Sequence, residues 1–307
     1  MQPTQEFLIK DEQVYPGALS CRGCGWALLA RHLTSILGPD TVYVAPASCF
    51  SIIAGPYPLS ELKATIVHTV FAAAPATATG VRAALDRQGK QDVTVAILAG
   101  DGGTFDIGFQ ALSGAASRGE NILYIVNNNG AYMNTGVQTS IATPYGAITT
   151  TNPDGSFKKT WPKDLMGIIA AHNLPYAATA SLAYLEDFRR KVEKAKATRG
   201  FRLLMIDGPC PPGHKVDPSQ SIQLARLAVE TNLFPLFEVE HQHYNINFKM
   251  DKPLPVTECM KWQGRFKHLF SPENKHILDE VQRHTDWYWN RLLQLEQLAS
   301  LETEPIV

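Results

Sequence analysis

Two continuous apolar runs constrain this chain most: VTVAILAG (93–100) and NILYIVN (121–127). Neither alternates apolar with polar residues, so each reads as a strand buried on both faces. Between them, DIGFQALSGAASR (106–118) has helical spacing and stops at Gly119. Strand, helix and strand in that rhythm form a βαβ unit, and such units build parallel sheets covered by helices. FRLLMID (201–207) supplies a further buried strand, and the β-branched stretch TVYVAPAS (41–48) another, ending at Cys49. Helices are expected over 26–37, 76–88, 163–172, 183–197, near 218–230 and, as one long element, 275–299. The expected fold is therefore α/β, a parallel sheet flanked by helices. A main domain over 1–245 is followed by an extension over 246–307 that carries a C-terminal helical arm. Residues 1–20 read as an extended lead-in. Residues 130–164, rich in Gly, Thr, Asn, Pro and Tyr, are too long for a connector and read as a functional loop.

Composition narrows the function classes. The 307 residues are 45% hydrophobic, enough for one large α/β domain or two small ones. The 28 basic and 29 acidic residues leave a formal charge of −1, which argues for neither a nucleic-acid nor a membrane surface. No apolar run approaches the roughly 20 residues of a membrane span. The N-terminus MQPTQEFLIKDEQ lacks the basic-then-apolar layout of a signal segment. A cytoplasmic chain is expected, with reduced thiols unless a metal holds them. The cysteines are Cys21, Cys24, Cys49, Cys210 and Cys259, and the odd count argues against a full disulfide framework. The C-x-x-C in LSCRGCGWALL (19–29) fits a metal site, a redox disulfide or core thiols.

The most informative stretch is GDGGTFDIGFQALSGAASRGENILYIVNNNGAYMNTG (100–136). Gly100-Asp101-Gly102 ends one buried strand and Asn127-Asn128-Asn129 ends the next. Parallel neighbours finish on the same sheet edge, where α/β folds bind ligands. The glycines let a ligand approach the backbone. The helix that follows can direct amide N–H groups at a phosphate, and Asp101 offers the hard oxygen that Mg²⁺ prefers. Asp101 and Asn129 lie 28 positions apart. That spacing resembles the thiamin diphosphate signature, G-D-G followed after about 26 residues by N-N.

The likeness extends further. The GDGG to YIV segment, AYMNTGVQTSIATPYGAITTT (131–151), ATATG (76–80), CPPGH (210–214) and LAVETNLFPLFEVE (227–240) resemble the β subunit of the pyruvate:ferredoxin oxidoreductase family over about residues 18–245. The resemblance implies a thiamin diphosphate-binding fold. It implies Mg²⁺ held by Asp101, Asn129 and the Ala131 carbonyl, with Gly100, Gly102 and Gly103 passing the diphosphate. It places Asn134 and Thr135 near the thiazolium, with Asn134 the closer to substrate oxygen. It also implies a [4Fe–4S] cluster on Cys21, Cys24, Cys49 and Cys210. The same four thiols fit a zinc site, as in a non-catalytic scaffold subunit, and a cluster-free thiamin decarboxylase or synthase is the other rival. The implied activity is oxidative decarboxylation of a small 2-oxoacid, pyruvate by default and oxalate as the rival, with electrons passed to ferredoxin. The implied partners are an α subunit that completes the active site and supplies the activating Glu, a ferredoxin-like γ or δ subunit or domain, and coenzyme A for some substrates. The assembly is expected to be a dimerised hetero-oligomer.

Three positions depart from the family pattern. Gly130 replaces the Glu of N-E-A-Y-M-N-T-G, Pro75 interrupts the segment before ATATG, and His214 replaces an aromatic after C-P-x-G. These leave substrate identity open. Arg22, between the first two cysteines, would raise the potential of a cluster. Cys259 has no partner in this scheme. His68 follows an apolar run and fits either the core or a cofactor face. His241 and His243 are spaced to share a strand face, as a solvated surface or a metal pair. Trp262, Trp287 and Trp289 read as packing or subunit contacts.

Overall fold

The structure, a computed structural model, describes residues 9, 11–17, 19–56 and 58–301. In chain order the elements are α1 (Gly25–Leu37), β1 (Thr41–Pro46), α2 (Cys49–Ala54), β2 (Thr65–Thr69), α3 (Ala74–Arg87) and β3 (Thr94–Gly100). Then come α4 (Phe109–Ser117), β4 (Leu123–Asn128), α5 (Leu165–Ala170), β5 (Tyr176–Ser181), α6 (Leu185–Ala197) and β6 (Arg202–Asp207). The last are α7 (Pro211–His214), α8 (Ser221–Glu230), β7 (Phe237–Glu240), β8 (His243–Ile246), α9 (Val256–Met260) and α10 (Lys275–Leu301).

One sheet of eight strands, ordered β2-β1-β3-β4-β6-β5-β7-β8, runs through the molecule. The first six are parallel, as the buried apolar runs require. Side chains alternate between two cores. Val95, Ile97, Tyr124, Val126 and Leu203 pack under α3, α4, α5 and α10. Ala96, Leu98, Leu123, Ile125, Leu204 and Ile206 face the opposite way, under α1, α2 and α6. Both faces being covered explains why these strands show no polar alternation.

The sheet is not parallel throughout. β7 pairs antiparallel with β5, and β8 antiparallel with β7. The β7–β8 turn is His241-Gln242, with φ of 46° and 68°. Two successive left-handed residues form the tight turn that suits a two-residue hairpin. His241 therefore sits in a turn and His243 in a strand, so they do not share a strand face.

The helix expected to start at Asp106 also begins differently. After Asp101 the chain makes a widened π-helical turn over Gly102–Asp106, and the regular helix starts at Phe109. Gly108 permits this: a Cβ there would lie 2.0 Å from the Gly103 carbonyl oxygen. Cys49, expected at a strand end, instead opens α2 just beyond β1, with the Ser48 amide donating to the Ser51 hydroxyl. The proposed boundary between residues 245 and 246 falls within β8, onto which α10 folds. Glu296 of α10 accepts from the Ile246 amide at 2.8 Å and from Lys249 at 2.6 Å, and Leu292 is part of the core.

The antiparallel edge is tied to the body by one buried acid. Glu238 on β7 is 1% exposed and takes hydrogen bonds from the Tyr176 hydroxyl, Arg190, Lys194 and Asn247. Burial opposes its ionisation, but the Tyr176 hydroxyl, then Arg190 and Lys194, outweigh it and hold the carboxyl at about 2. A depressed carboxylate stabilises the fold above its ordinary value near 4.5, and that stabilisation fades as pH falls toward 2. Glu238→Ala, which leaves the buried Tyr176 hydroxyl without its acceptor while Arg190 and Lys194 remain solvated, is expected to cost about 1–3 kcal/mol. The loss in urea unfolding should be full at pH 7 and shrink below pH 4.5.

Candidate active site

The carboxyl ends of β1, β3, β4 and β6 converge on one edge. β1 has β2 on one side and β3 on the other, so the strand order reverses between β1 and β3. That reversal opens a crevice at the strand ends. The β3–β4 register pairs Gly100 with Asn127, which brings Asp101 beside Asn129 as the spacing implied. Asp101 is 1% exposed; its Oδ1 accepts from the Asn129 amide at 3.4 Å and its Oδ2 from the Ser140 hydroxyl at 2.6 Å. Burial pushes its carboxyl up to about 6, although both bonds favour the charge. The Asn129 side chain accepts from the Ala131 amide at 3.4 Å. The side-chain oxygens of Asn127 and Asn128 are buried without a partner.

The donor set fits a hard cation. A buried carboxylate, an asparagine oxygen and unpartnered amide oxygens share one sheet edge, and Mg²⁺ takes oxygen ligands. The glycines divide in their roles. Gly100 has open space, its nearest neighbour being Ser48 Cβ at 3.8 Å. Gly102 has none: a Cβ there would overlap the Tyr132 ring at 2.2 Å. Gly103 packs on Phe71 at 3.3 Å.

Cys21, Cys24, Cys49 and Cys210 all line one cavity of about 120 Å³, together with Asn127, Asn129 and Asn134. The C-x-x-C loop is pinned to the Cys210 segment by the Gly25 amide to the Pro209 carbonyl at 3.2 Å and the Ser221 hydroxyl to the Gly23 carbonyl at 2.7 Å. Gly23, at φ 68°, lies so close to Pro218 that a Cβ would meet its carbonyl oxygen at 2.3 Å. Burial and then the neighbouring thiols Cys210, Cys24 and Cys21 push Cys49 up to about 12. Cys210 rises to about 11, chiefly by burial. Thiols this close hold protons unless cations replace them, and four thiolates fit zinc or an iron–sulfur centre alike. Among the described residues, no three His, Cys, Asp or Glu groups converge closely enough to grip a single ion. Cluster ligands bind separate irons and need no such convergence.

Asn134 joins the two halves of the site: its Oδ1 accepts from the Cys49 thiol at 3.4 Å. It is exposed, as is Thr135, whose hydroxyl donates to Gln138. Val137 lines the same cavity at φ 62°, a strained conformation for a β-branched residue.

Other residues singled out from the sequence lie apart from this edge or at its rim. His68 is exposed on edge strand β2, and Arg22 is exposed. Pro75 lies in the first turn of α3. Cys259 is buried beneath α8, accepting from the Gln263 amide at 3.5 Å. Trp262 and Trp287 are 39% and 55% exposed, while Trp289 packs against the core. His214 is buried at the site, with Nε2 2.8 Å from the Asn129 carbonyl.

Several residues that order the site were not foreseen. Asp106 accepts from the Tyr132 hydroxyl at 2.7 Å and from the Ile141 amide. Lys158, 4% exposed, donates to the Ile141 and Thr143 carbonyls at 2.9 and 2.5 Å. No local motif marks these residues, because their partners lie far along the chain.

A family model described as "Thiamine pyrophosphate enzyme, C-terminal TPP binding domain" matches residues 47–206. Ketoisovalerate oxidoreductase subunit VorB of Pyrococcus furiosus is 43% identical over 94% of both chains. Pyruvate synthase subunit PorB of Methanothermobacter thermautotrophicus is 44% identical, covering 91% of this chain and 96% of its own. The chain belongs to the β subunits of the 2-oxoacid:ferredoxin oxidoreductases. It is a component of a multi-subunit, thiamin diphosphate-dependent oxidoreductase. The solved 2-oxoglutarate:ferredoxin oxidoreductase from Magnetococcus marinus shares the fold, with a TM-score of 0.57 and 21% identity over 72% of this chain and 81% of its own.

In this β subunit the cofactor edge depends on the 130–164 loop, which Lys158 latches from within. Lys158→Met leaves two buried carbonyls unsatisfied and is expected to cost about 1–3 kcal/mol. Thermal unfolding measures that loss, and limited proteolysis of the variant should cut first within 130–164.

Proposed function

We propose that this β subunit holds Mg²⁺ and thiamin diphosphate at the Asp101–Asn129 edge and a [4Fe–4S] cluster in the adjoining cysteine cavity. The complex oxidatively decarboxylates a small 2-oxoacid and delivers the electrons to ferredoxin. The observation that carries the reading is the shared wall: Asn127, Asn129 and Asn134 line the cavity that the four cysteines surround. Asp101, Asn129 and the Ala131 carbonyl are the proposed Mg²⁺ ligands, and Gly100 gives the diphosphate its backbone approach, whereas the implied approach at Gly102 and Gly103 is taken by Tyr132 and Phe71. When bound, thiamin diphosphate supplies the electron sink for decarboxylation, and the cluster supplies a one-electron outlet.

The chain's own residues do the positioning. Ser140 and the Asn129 amide orient the Asp101 carboxylate. Tyr132, held by Asp106, fills the space over Gly102 and keeps water from it. Asn134, exposed and within reach of Cys49, is placed to meet substrate oxygen on one side and the cluster ligand on the other. Thr135 flanks it.

An α subunit is proposed to cover this edge. Leu19, Ile52, Val70, Ile107 and Ile141 rise around it from five separate segments and are 67%, 57%, 72%, 55% and 38% exposed. An apolar rim around a polar site marks a protein interface. Among the described residues no glutamate lines the cysteine cavity, and the activating Glu is assigned to that partner. A ferredoxin-like γ or δ subunit or domain completes the electron path, and coenzyme A serves as acyl acceptor where the substrate requires one. Among the described residues no helix is long and apolar enough to cross a membrane, and a cytoplasmic site is proposed. Pyruvate is the default substrate. Ketoisovalerate joins it because the relative named for that substrate is 43% identical, against 44% for the pyruvate synthase subunit, and oxalate stays as the third candidate.

Anaerobic analysis of the purified complex tests the cofactors. About four iron and four sulfide are expected on the β subunit, beyond those of the ferredoxin-like partner, with thiamin diphosphate present. Cys49→Ser should lose the cluster's absorption and spin signal while keeping thiamin diphosphate. Absence of iron would favour a cluster-free decarboxylase, and zinc without thiamin diphosphate a scaffold subunit. A cluster left intact in Cys49→Ser would refute the ligand assignment. Viologen reduction with pyruvate, ketoisovalerate and oxalate in parallel identifies the substrate.

A further inference from the structure

A second cavity, about 460 Å³, lies between the sheet edge and the C-terminal segment. That volume is in the range of small-molecule sites. It adjoins the Asp101–Asn129 edge, with Asn128 and Gly130 in its lining, and shares Asn129 and Pro209 with the cysteine cavity. Its polar lining includes three side chains from distant parts of the chain whose partners are missing: Asp207 at the end of β6, His214 on α7 and Arg265.

Their hydrogen bonding is incomplete. Arg265 is 8% exposed, and its Nε donates to Gln263 at 2.8 Å. Among the described residues no carboxylate lies within ion-pair distance of it. Burial pushes the Asp207 carboxyl up to about 7 although the Arg265 charge favours its ionised form, and neither a salt bridge nor a hydrogen bond joins the two side chains, so a cation bound beside Asp207 would hold it ionised. His214 Nε2 is engaged by the Asn129 carbonyl, and its buried Nδ1 has no partner. A buried guanidinium without an anion is expensive even with the Phe266 ring 5.1 Å from it, and so is a half-buried carboxyl left without a donor. Gly130 adds to the opening: a Cβ there would stand 3.2 Å from the Arg265 guanidinium, so an acidic residue at this position would reach that cation from within the chain. Here the cation is left for a ligand.

The three groups divide into one donor and two acceptors. A guanidinium only donates, while an ionised carboxylate and an imidazole Nδ1 whose partner nitrogen donates only accept. Lys163, Asp164 and Arg291 also line the cavity but are engaged within the chain, Lys163 by the Phe105 carbonyl and Asp164 by Arg291 at 3.0 Å, and the apolar walls include Leu165, Phe234, Phe237, Met260 and Phe266. We propose that this cavity binds an apolar α-amino acid, its carboxylate on Arg265, its ammonium on Asp207 and His214 Nδ1, and its side chain among the apolar walls. A 2-oxoacid matches less well, because its keto oxygen brings no positive charge to hold Asp207 ionised and leaves His214 Nδ1 without a donor. Amino acids and 2-oxoacids interconvert by transamination, so the site would let the complex respond to the amino-acid counterparts of its substrates. That last step rests on the function proposed above; the binding does not.

Equilibrium dialysis of the purified complex with labelled L-leucine tests the site, with leucinamide and 4-methyl-2-oxopentanoate as competitors. Saturable binding is expected, with the parent amino acid outcompeting both analogues. Arg265→Gln should weaken it at least tenfold. Asp207→Asn should weaken leucine at least tenfold and leave the 2-oxoacid unchanged, which keeps the test alive if Arg265→Gln fails to assemble. No saturable binding at about 10 mM, or binding indifferent to both substitutions, would overturn the proposal. Turnover assays on the same preparations separate a failure of this site from a failure of the proposed function.

Discussion

The carboxylate of Asp101, buried at the tip of β3, is the constraint around which this edge is organised. Burying a charge without compensation is costly, and two neutral donors do not remove that cost, as its upward shift to about 6 shows. Compensation has to come from around the tip. Asn129 reaches it because β4 ends in register. Ser140 reaches it because the 130–164 loop folds back over the edge, held by Lys158, Asp106 and Thr143. A divalent cation would complete what these neutral groups leave unfinished.

The fold makes this possible through its strand order. Because β1 sits between β2 and β3, the chains leaving β1 and β3 diverge and leave a crevice. Cys49 is the third residue past β1, and Asp101 the first past β3. Cys210, the third residue beyond β6, and the C-x-x-C loop close the cavity from the other side. The proposed electron donor and acceptor sites thus share a wall because two strands that are neighbours in the sheet end next to each other.

What was legible in the sequence followed burial. β3, β4 and β6 are covered on both faces, and their apolar runs announce it. β5, YAATAS, is fully buried too, but alanine has little β-propensity and the strand left no signal. β2 is an exposed edge, and β7 and β8 have four residues each, too short for a period to emerge. The π-helical turn after Asp101 has no periodic signature either. In the site, Asp101 and Asn129 were legible because a fixed spacing joins them. Lys158 and Arg265 were not, because tertiary folding alone brings them to the edge.

His214 shows how tightly the two proposed centres are joined. α7 carries Cys210 at its start and His214 at its end, and one hydrogen bond from His214 reaches the Asn129 carbonyl. Burial, and then the Arg265 charge, hold the imidazole well below its ordinary range, so it stays neutral and donates through Nε2. An aromatic ring at this position would fill space without making that bond. Histidine ties the backbone of a proposed Mg²⁺ ligand to the helix that presents a proposed cluster ligand. A shift of either segment therefore has to strain the other, and the geometry between the two centres is set by one four-residue helix rather than by the long loops around it.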